Sequence, residues 1–126
     1  MSIRAAPHHT LLLACALASP ALFAAEPQIE NALDIAPVWS GHSVGFCLLT
    51  TGSRQFAAFY DTERNLTVAS RALDTNQWAL TRLPRRTGWD SHNYITMTAD
   101  DEGYLHLSGD MHCVPLVYFR SSKPLD

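Results

Sequence analysis

Between Gly45 and Arg120 the chain alternates short apolar runs with polar or glycine-bearing turns. Gly45 to Thr50, Gln55 to Tyr60, Leu66 to Arg71 and Trp78 to Leu83 read as four strands. Leu66-Thr67-Val68-Ala69-Ser70-Arg71 carries apolar residues on alternate positions with small or polar ones between, the pattern of a half-buried strand. Thr51-Gly52-Ser53, Asp61 to Asn65 and Asp74-Thr75-Asn76 supply the turns. Connections this tight join neighbours antiparallel, so the four strands predict a meander. Pro84 to Gly88 reads as a connector, and then the pattern starts over. Asn93 to Ala99, Tyr104 to Gly109 and Val114 to Arg120 are the next three strands, with Asp100 to Gly103 as the first turn between them. Ile35 to Trp39 is a short apolar approach, and no stretch after residue 26 keeps a helical period.

The two halves overlay when the chain is shifted by 39 residues. Phe56 meets Ile95, Ala58 meets Met97, Asp61 meets Asp100, Leu66 meets Leu105, Val68 meets Leu107 and Trp78 meets Val117. A period near 40 with about four strands per unit is the signature of a propeller blade. The predicted fold class is all-β, with antiparallel four-stranded meanders as blades of a β-propeller, about two of them within residues 26–126. Propellers close with roughly four to eight blades, and two alone leave apolar faces wet. The expectation is therefore an incomplete, N-terminal portion of a longer propeller. A complete β-sandwich of about 100 residues is the competing architecture.

Residues 1–25 are set aside as a signal peptide. Arg4 is the only formal charge there, an apolar run spans Leu11 to Ala18, Ser19-Pro20 breaks it, and Ala24-Ala25 precede polar sequence. The run is shorter than the ~20 apolar residues a span requires. The protein is expected to have no membrane span and to be secreted or periplasmic. Leu12-Leu13-Ala14-Cys15 resembles a lipoprotein cleavage box, but apolar sequence continuing past Cys15 ranks lipidation second. Without Arg4, eight Lys or Arg stand against twelve Asp or Glu, a net charge of −4. Nucleic acid is excluded as a partner, because such binding needs a clustered basic face. Cys47 and Cys113 survive export, and both a disulfide and two separate thiols stay open. Cys113 beside His112 lacks a spaced second pair of ligands, so neither a metal nor another cofactor is expected.

The candidate chemistry lies in Gly88-Trp89-Asp90-Ser91-His92-Asn93-Tyr94 and in Asp110-Met111-His112-Cys113. His92 precedes one strand and His112 follows the next, so neighbouring strands bring both imidazoles to one edge. A lone histidine near a strand end is usually structural; two converging with Asp, Asn and Trp make a candidate site. Imidazole titrates near neutral pH and exchanges protons without heavy tuning. His92 and His112 are the candidate catalytic pair. Trp89, whose flat face suits a sugar ring, Asn93 and His42 are the candidate substrate-binding residues. Asp90 and Asp110 flank the histidines and can orient them or hold a cation. His106 lies mid-strand and reads as structural, while His8 and His9 fall in the leader. Asp61, Asp100, Asp101 and Glu102 sit in hairpin turns, where Asp caps its own backbone, and give no glycosidase pair. No nucleophile-elbow serine or glycine-rich phosphate loop is present. Arg85-Arg86 reads as a solvated connector before it reads as a patch facing an acidic glycan.

These two histidine motifs, the strand-turn-strand up to Gly109, and Val114 to Arg120 resemble the BNR-repeat family members. That family consists of secreted propellers and includes polysaccharide lyases of the ulvan-lyase type. The resemblance covers Ile35 to Arg120. It implies an acidic extracellular polysaccharide as partner, and it implies lyase β-elimination with His92 and His112 as the acid/base pair. The family's catalytic tyrosine and carboxylate-neutralising arginine come from later blades, so neither role passes to Tyr118 or Arg120. The turns are degenerate against the sialidase Asp-box and no Arg-Ile-Pro motif follows, which disfavours a sialidase. Two other readings remain: a non-catalytic glycan-binding propeller, and a fragment inactive by itself.

Overall fold

Polar turn residues placed between apolar runs fold back on themselves in seven strands: β1 (Cys47–Thr51), β2 (Arg54–Tyr60), β3 (Asn65–Ala72), β4 (Ala79–Arg86), β5 (Ile95–Ala99), β6 (Leu105–Gly109) and β7 (Tyr118–Arg120). The structure is a computed structural model that describes residues 27–41, 43 and 45–125. Residues 1–26, on which the signal peptide falls, and His42 lie outside the described residues. The fold is all-β, with no helix among the described residues. Two antiparallel meanders form, a four-stranded sheet in the order β1-β2-β3-β4 and a three-stranded sheet in the order β5-β6-β7. The four-stranded sheet is consistent with a propeller blade and the three-stranded one with an incomplete blade.

The 39-residue repeat is a structural repeat. Phe56 pairs with Ser70 across β2 and β3, and Ile95 pairs with Gly109 across β5 and β6. Tyr60 opposite Leu66 corresponds to Ala99 opposite Leu105 in the same way. The turns match as well. In the first, an Asp61 side-chain oxygen accepts from the Asn65 amide at 2.9 Å, and the Arg64 amide donates to the Asp61 carbonyl at 2.8 Å. In the second, Asp100 accepts from the Tyr104 amide at 2.8 Å and Gly103 donates to the Asp100 carbonyl at 3.0 Å. An aspartate that satisfies backbone donors beyond itself stabilises such a turn without help from the rest of the fold.

The correspondence slips by one residue at the third strand. Val68 faces Thr81, whereas Leu107 faces Phe119 and not Arg120. A one-residue slip turns side chains to the opposite face. Phe119 is thereby packed against the core, while its sequence counterpart Leu80 is exposed.

The facing sides of the two sheets build the main core. Ala58, Tyr60, Leu66, Ile95 and Leu107 are buried there, with Cys47, Val68, Leu83, Met97 and Phe119 packed around them. Side chains of this size contribute about 1.5–3 kcal/mol each on burial. The outer side of the first sheet buries Ala57, Phe59 and Ala69 beneath Ile35, Ala36 and Trp78. The outer side of the second sheet is polar, with Thr96, Thr98, Ser108 and Tyr118 around His106.

Two strand boundaries differ from the sequence reading by three residues or more. β4 runs through Pro84 to Arg86, where a connector was expected, because β4 is an edge strand and its register with β3 breaks between Asn65 and Thr67. An edge position and an irregular register are where a residue without an N–H is tolerated. Only Tyr118–Arg120 of the expected Val114–Arg120 strand is paired, and Val114 to Leu116 form an exposed loop. Cys47 and Cys113 are separate thiols, Cys47 half-buried at the core and Cys113 exposed in that loop.

Candidate functional site

The pairing of β5 with β6 decides where the histidines go. Ile95 opens β5 opposite Gly109, which closes β6. His92 stands three residues before the one and His112 three residues after the other. Both therefore leave the sheet at the same end. Their ring centroids are 4.1 Å apart with an interplanar angle of 37°.

Asp90 holds both rings. One carboxylate oxygen accepts from the His92 amide at 2.7 Å and meets His92 Nδ1 at 2.5 Å. The other oxygen meets His112 Nδ1. The His92 amide, and then the His112 and His92 side-chain bonds, hold the Asp90 carboxyl well below the usual carboxylate range. An ionised carboxylate only accepts hydrogen bonds, so each Nδ1 donates to Asp90 and Nε2 is the ring nitrogen left to meet a ligand. Fixing the tautomer through Nδ1 is how a carboxylate readies an imidazole as a base. His92, His112 and Asp90 are all partly open to solvent, with side-chain exposures of 57%, 43% and 41%.

Trp89 is 69% exposed beside this cluster in sequence. Its ring and that of the buried Trp39 meet in a T-shaped contact, with centroids 5.6 Å apart at 76°. The Arg64 guanidinium carbon lies 4.9 Å from the Trp89 ring centroid. Trp89, on the loop that carries Asp90 and His92, thus presents an exposed aromatic surface with the Arg64 cation of the β2–β3 turn over its ring.

Asn93 is placed differently from the other candidates. It is only 1% exposed, and its amide nitrogen has no hydrogen-bond partner among the described residues. Gly45 explains the tight fit, because a Cβ there would lie 2.3 Å from the Asn93 carbonyl oxygen. Asn93 underpins the loop, whereas Trp89, His92 and His112 form its outer surface.

Of the two aspartates flanking the histidines, only Asp90 touches them. Asp110 is turned inward at φ 55°, buried, and accepts from Arg85 Nε at 2.6 Å and Thr87 Oγ1 at 2.8 Å. It ties the loop after β6 to the end of β4. Arg86 Nε donates to the Glu63 carbonyl at 2.8 Å. Neither Arg85 nor Arg86 is therefore a loose cationic patch. His106 is held at both ring nitrogens, by Asp100 at 2.8 Å and by the Tyr118 hydroxyl at 2.6 Å, in keeping with its structural reading. Its bond to Asp100 is the leading cause that lowers the carboxyl pKa of that residue.

Asp90, His92 and His112 also offer three metal-ligating atoms within 4.8 Å of one another. Two imidazole nitrogens and one carboxylate oxygen suit a zinc-like cation. The residue missed from sequence is Arg64, which looks like an ordinary turn position until the repeat sets it beside Gly103.

Repeated antiparallel meanders carrying a surface imidazole pair on end loops define a β-repeat scaffold with a polar site at one rim. Residues 54–126 match the BNR repeat-containing family, more than half of the 126-residue chain, and the chain belongs to that family. The matched span includes both histidine motifs. A search of curated proteins found no match. No helix among the described residues is long and apolar enough to cross a membrane.

Proposed function

We propose that the protein is a secreted or periplasmic propeller that acts on an acidic extracellular polysaccharide as a lyase. The observation that carries this reading is the pair of imidazoles sharing the Asp90 carboxylate with both Nε2 atoms available to a ligand. β-Elimination at a uronic acid needs a base at C5, a partner for the uronate carboxylate and an acid at O4. In this mechanism one Nε2 removes the C5 proton. The C5–H electrons form the C4=C5 double bond, the C4–O4 bond breaks with its electrons on O4, and O4 takes a proton from the imidazolium that received the C5 proton. The other ring, protonated, lies against the uronate carboxylate and spreads its charge, which makes C5–H more acidic. The single anion of Asp90 balances one positive ring between the two. Trp89 gives the sugar ring a flat apolar face.

Proton transfer of this kind is worth about 10²–10⁴ in rate. The test incubates the protein with uronate-containing polysaccharides and follows the ultraviolet absorbance of the unsaturated product. Product from the wild type and its near loss in His92→Ala and in His112→Ala are expected. Undiminished product from His92→Ala removes that histidine from the mechanism. The exposure of Trp89 favours a second reading, glycan binding without turnover, which predicts retained polysaccharide and no unsaturated product.

A further inference from the structure

Arg64 adopts a conformation that its turn does not require an arginine to adopt. Its φ is 71°, in the left-handed region where side chains crowd the backbone. The equivalent residue of the second repeat is Gly103, at φ 82°, in a turn with the same backbone and aspartate hydrogen bonds. Glycine is the residue that fits this position without strain. A strained residue kept where an unstrained one serves the fold points to a use for its side chain.

That side chain is the uncommitted cation of its neighbourhood. Arg82 is bound to Asp61 at 2.7 Å and to Glu63 at 3.2 Å, Arg85 to Asp110, and Arg86 to a backbone carbonyl. Among the described residues Arg64 has no carboxylate partner, and its guanidinium lies over the ring of Trp89. A guanidinium stacked on an aromatic face uses its plane for the stack and leaves the N–H groups along its edge to bind a planar anion. Trp89 is bonded directly to Asp90, which holds His92 and His112.

We infer that Arg64, stacked on Trp89, is a specificity residue that binds a carboxylate of the glycan and so selects an anionic sugar over a neutral one. The inference rests on the reading of this rim as a glycan site. Two parallel N–H···O bonds to a uronate fit the fork of arginine, which lysine cannot reproduce.

The test uses isothermal titration calorimetry with a uronate tetrasaccharide and with its carboxyl-reduced counterpart, on the wild-type chain, Arg64→Gly and Arg64→Lys. Arg64→Gly is expected to fold with an unchanged or higher melting temperature, because Gly103 already fills the matching turn. It is expected to bind the uronate about tenfold or more weakly, a loss of about 1.4 kcal/mol. Binding of the reduced sugar is expected to stay unchanged, with Arg64→Lys between the two for the uronate. Equal uronate affinity in wild type and Arg64→Gly overturns the inference alone. Failure of the wild type to bind either sugar overturns the glycan site and the inference with it.

Discussion

Ile95 and Gly109 face each other across the second sheet, and that one pairing places the imidazoles of His92 and His112 within reach of a common carboxylate. A Cβ on Gly109 would lie 3.3 Å from both Ile95 Cγ1 and the Tyr60 hydroxyl oxygen, tighter than ordinary contact. Gly109→Val is therefore expected to push the strand ends apart. Overpacking of this kind costs about 1–3 kcal/mol. Chemical denaturation measures that loss, and under the lyase reading turnover is expected to fall further than stability, because the ring spacing is disturbed.

Asp90→Asn tests the shared carboxylate. Asparagine keeps the shape but has one accepting oxygen, so it cannot receive both Nδ1–H groups. One imidazole loses its fixed tautomer. Under the lyase reading elimination is expected to fall by about 10²-fold or more, with the melting temperature nearly constant because the group is partly exposed. An equally active variant would show that the histidines need no common anchor.

Much of this arrangement is legible in the sequence. Six apolar or turn positions spaced by 39 residues implied matching hairpins, and the register of Phe56 with Ser70 recurs in Ile95 with Gly109. Turn residues and alternation are local signals, so they survive in sequence. The course of β4 through Pro84 was not legible, since edge position and a register break are properties of the sheet and not of the proline. Asn93 is a substrate-binding candidate in sequence because its amide adds a donor and an acceptor, and its burial, where Gly45 lets the backbone close over it, is set by packing that the sequence does not display. Which aspartate serves the histidines could not be read from spacing, because Asp110 takes a left-handed conformation that turns it toward Arg85 and Thr87.

Acid is expected to loosen the β2–β3 hairpin through Asp61. Burial pushes the Asp61 carboxyl up, but hydrogen bonds from Asn65 and Glu63 together with the Arg82 guanidinium hold it below the ordinary carboxylate range. A carboxyl with a lowered folded pKa contributes stability that is present above about pH 4, the unfolded value. That contribution is lost as pH falls through the folded value. Asp61→Asn is expected to lower stability at neutral pH by about 1–3 kcal/mol and to flatten this part of the acid limb, as read from denaturant midpoints at successive pH values.

Zinc is expected to inhibit. The three ligand atoms of Asp90, His92 and His112 lie within 4.8 Å of one another, close enough for a borderline cation to draw them together. A bound cation would take the Nδ1 positions from their protons and lock the rings away from substrate. Titrating zinc into the lyase assay should abolish turnover, and a chelator should restore it. His112→Ala should weaken zinc binding measured calorimetrically. Unchanged activity in excess zinc would show that the rings cannot leave their hydrogen bonds.

Tyr60 gives the opposite pH signature to Asp61. Its side chain is fully buried, its hydroxyl has no hydrogen-bond partner among the described residues, and its pKa is pushed up to about 12. Burial is the leading cause, and the Asp110 carboxylate adds repulsion toward a phenolate. The neutral form is favoured in the folded protein, so the Tyr60 contribution is intact below the unfolded value of about 10. It declines as pH rises toward 12. Tyr60→Phe keeps the ring and removes a buried hydroxyl that has no hydrogen bond of full geometry among the described residues and is approached by the Asp110 backbone, and such a change is close to neutral or stabilising. Denaturant midpoints at pH 7 should therefore be equal or higher in the variant. Between pH 10 and 12 the variant should lose less stability than the wild type. A clear loss at pH 7 would mean that the hydroxyl holds the core together through a bond, most directly to the Asp110 loop beneath His112.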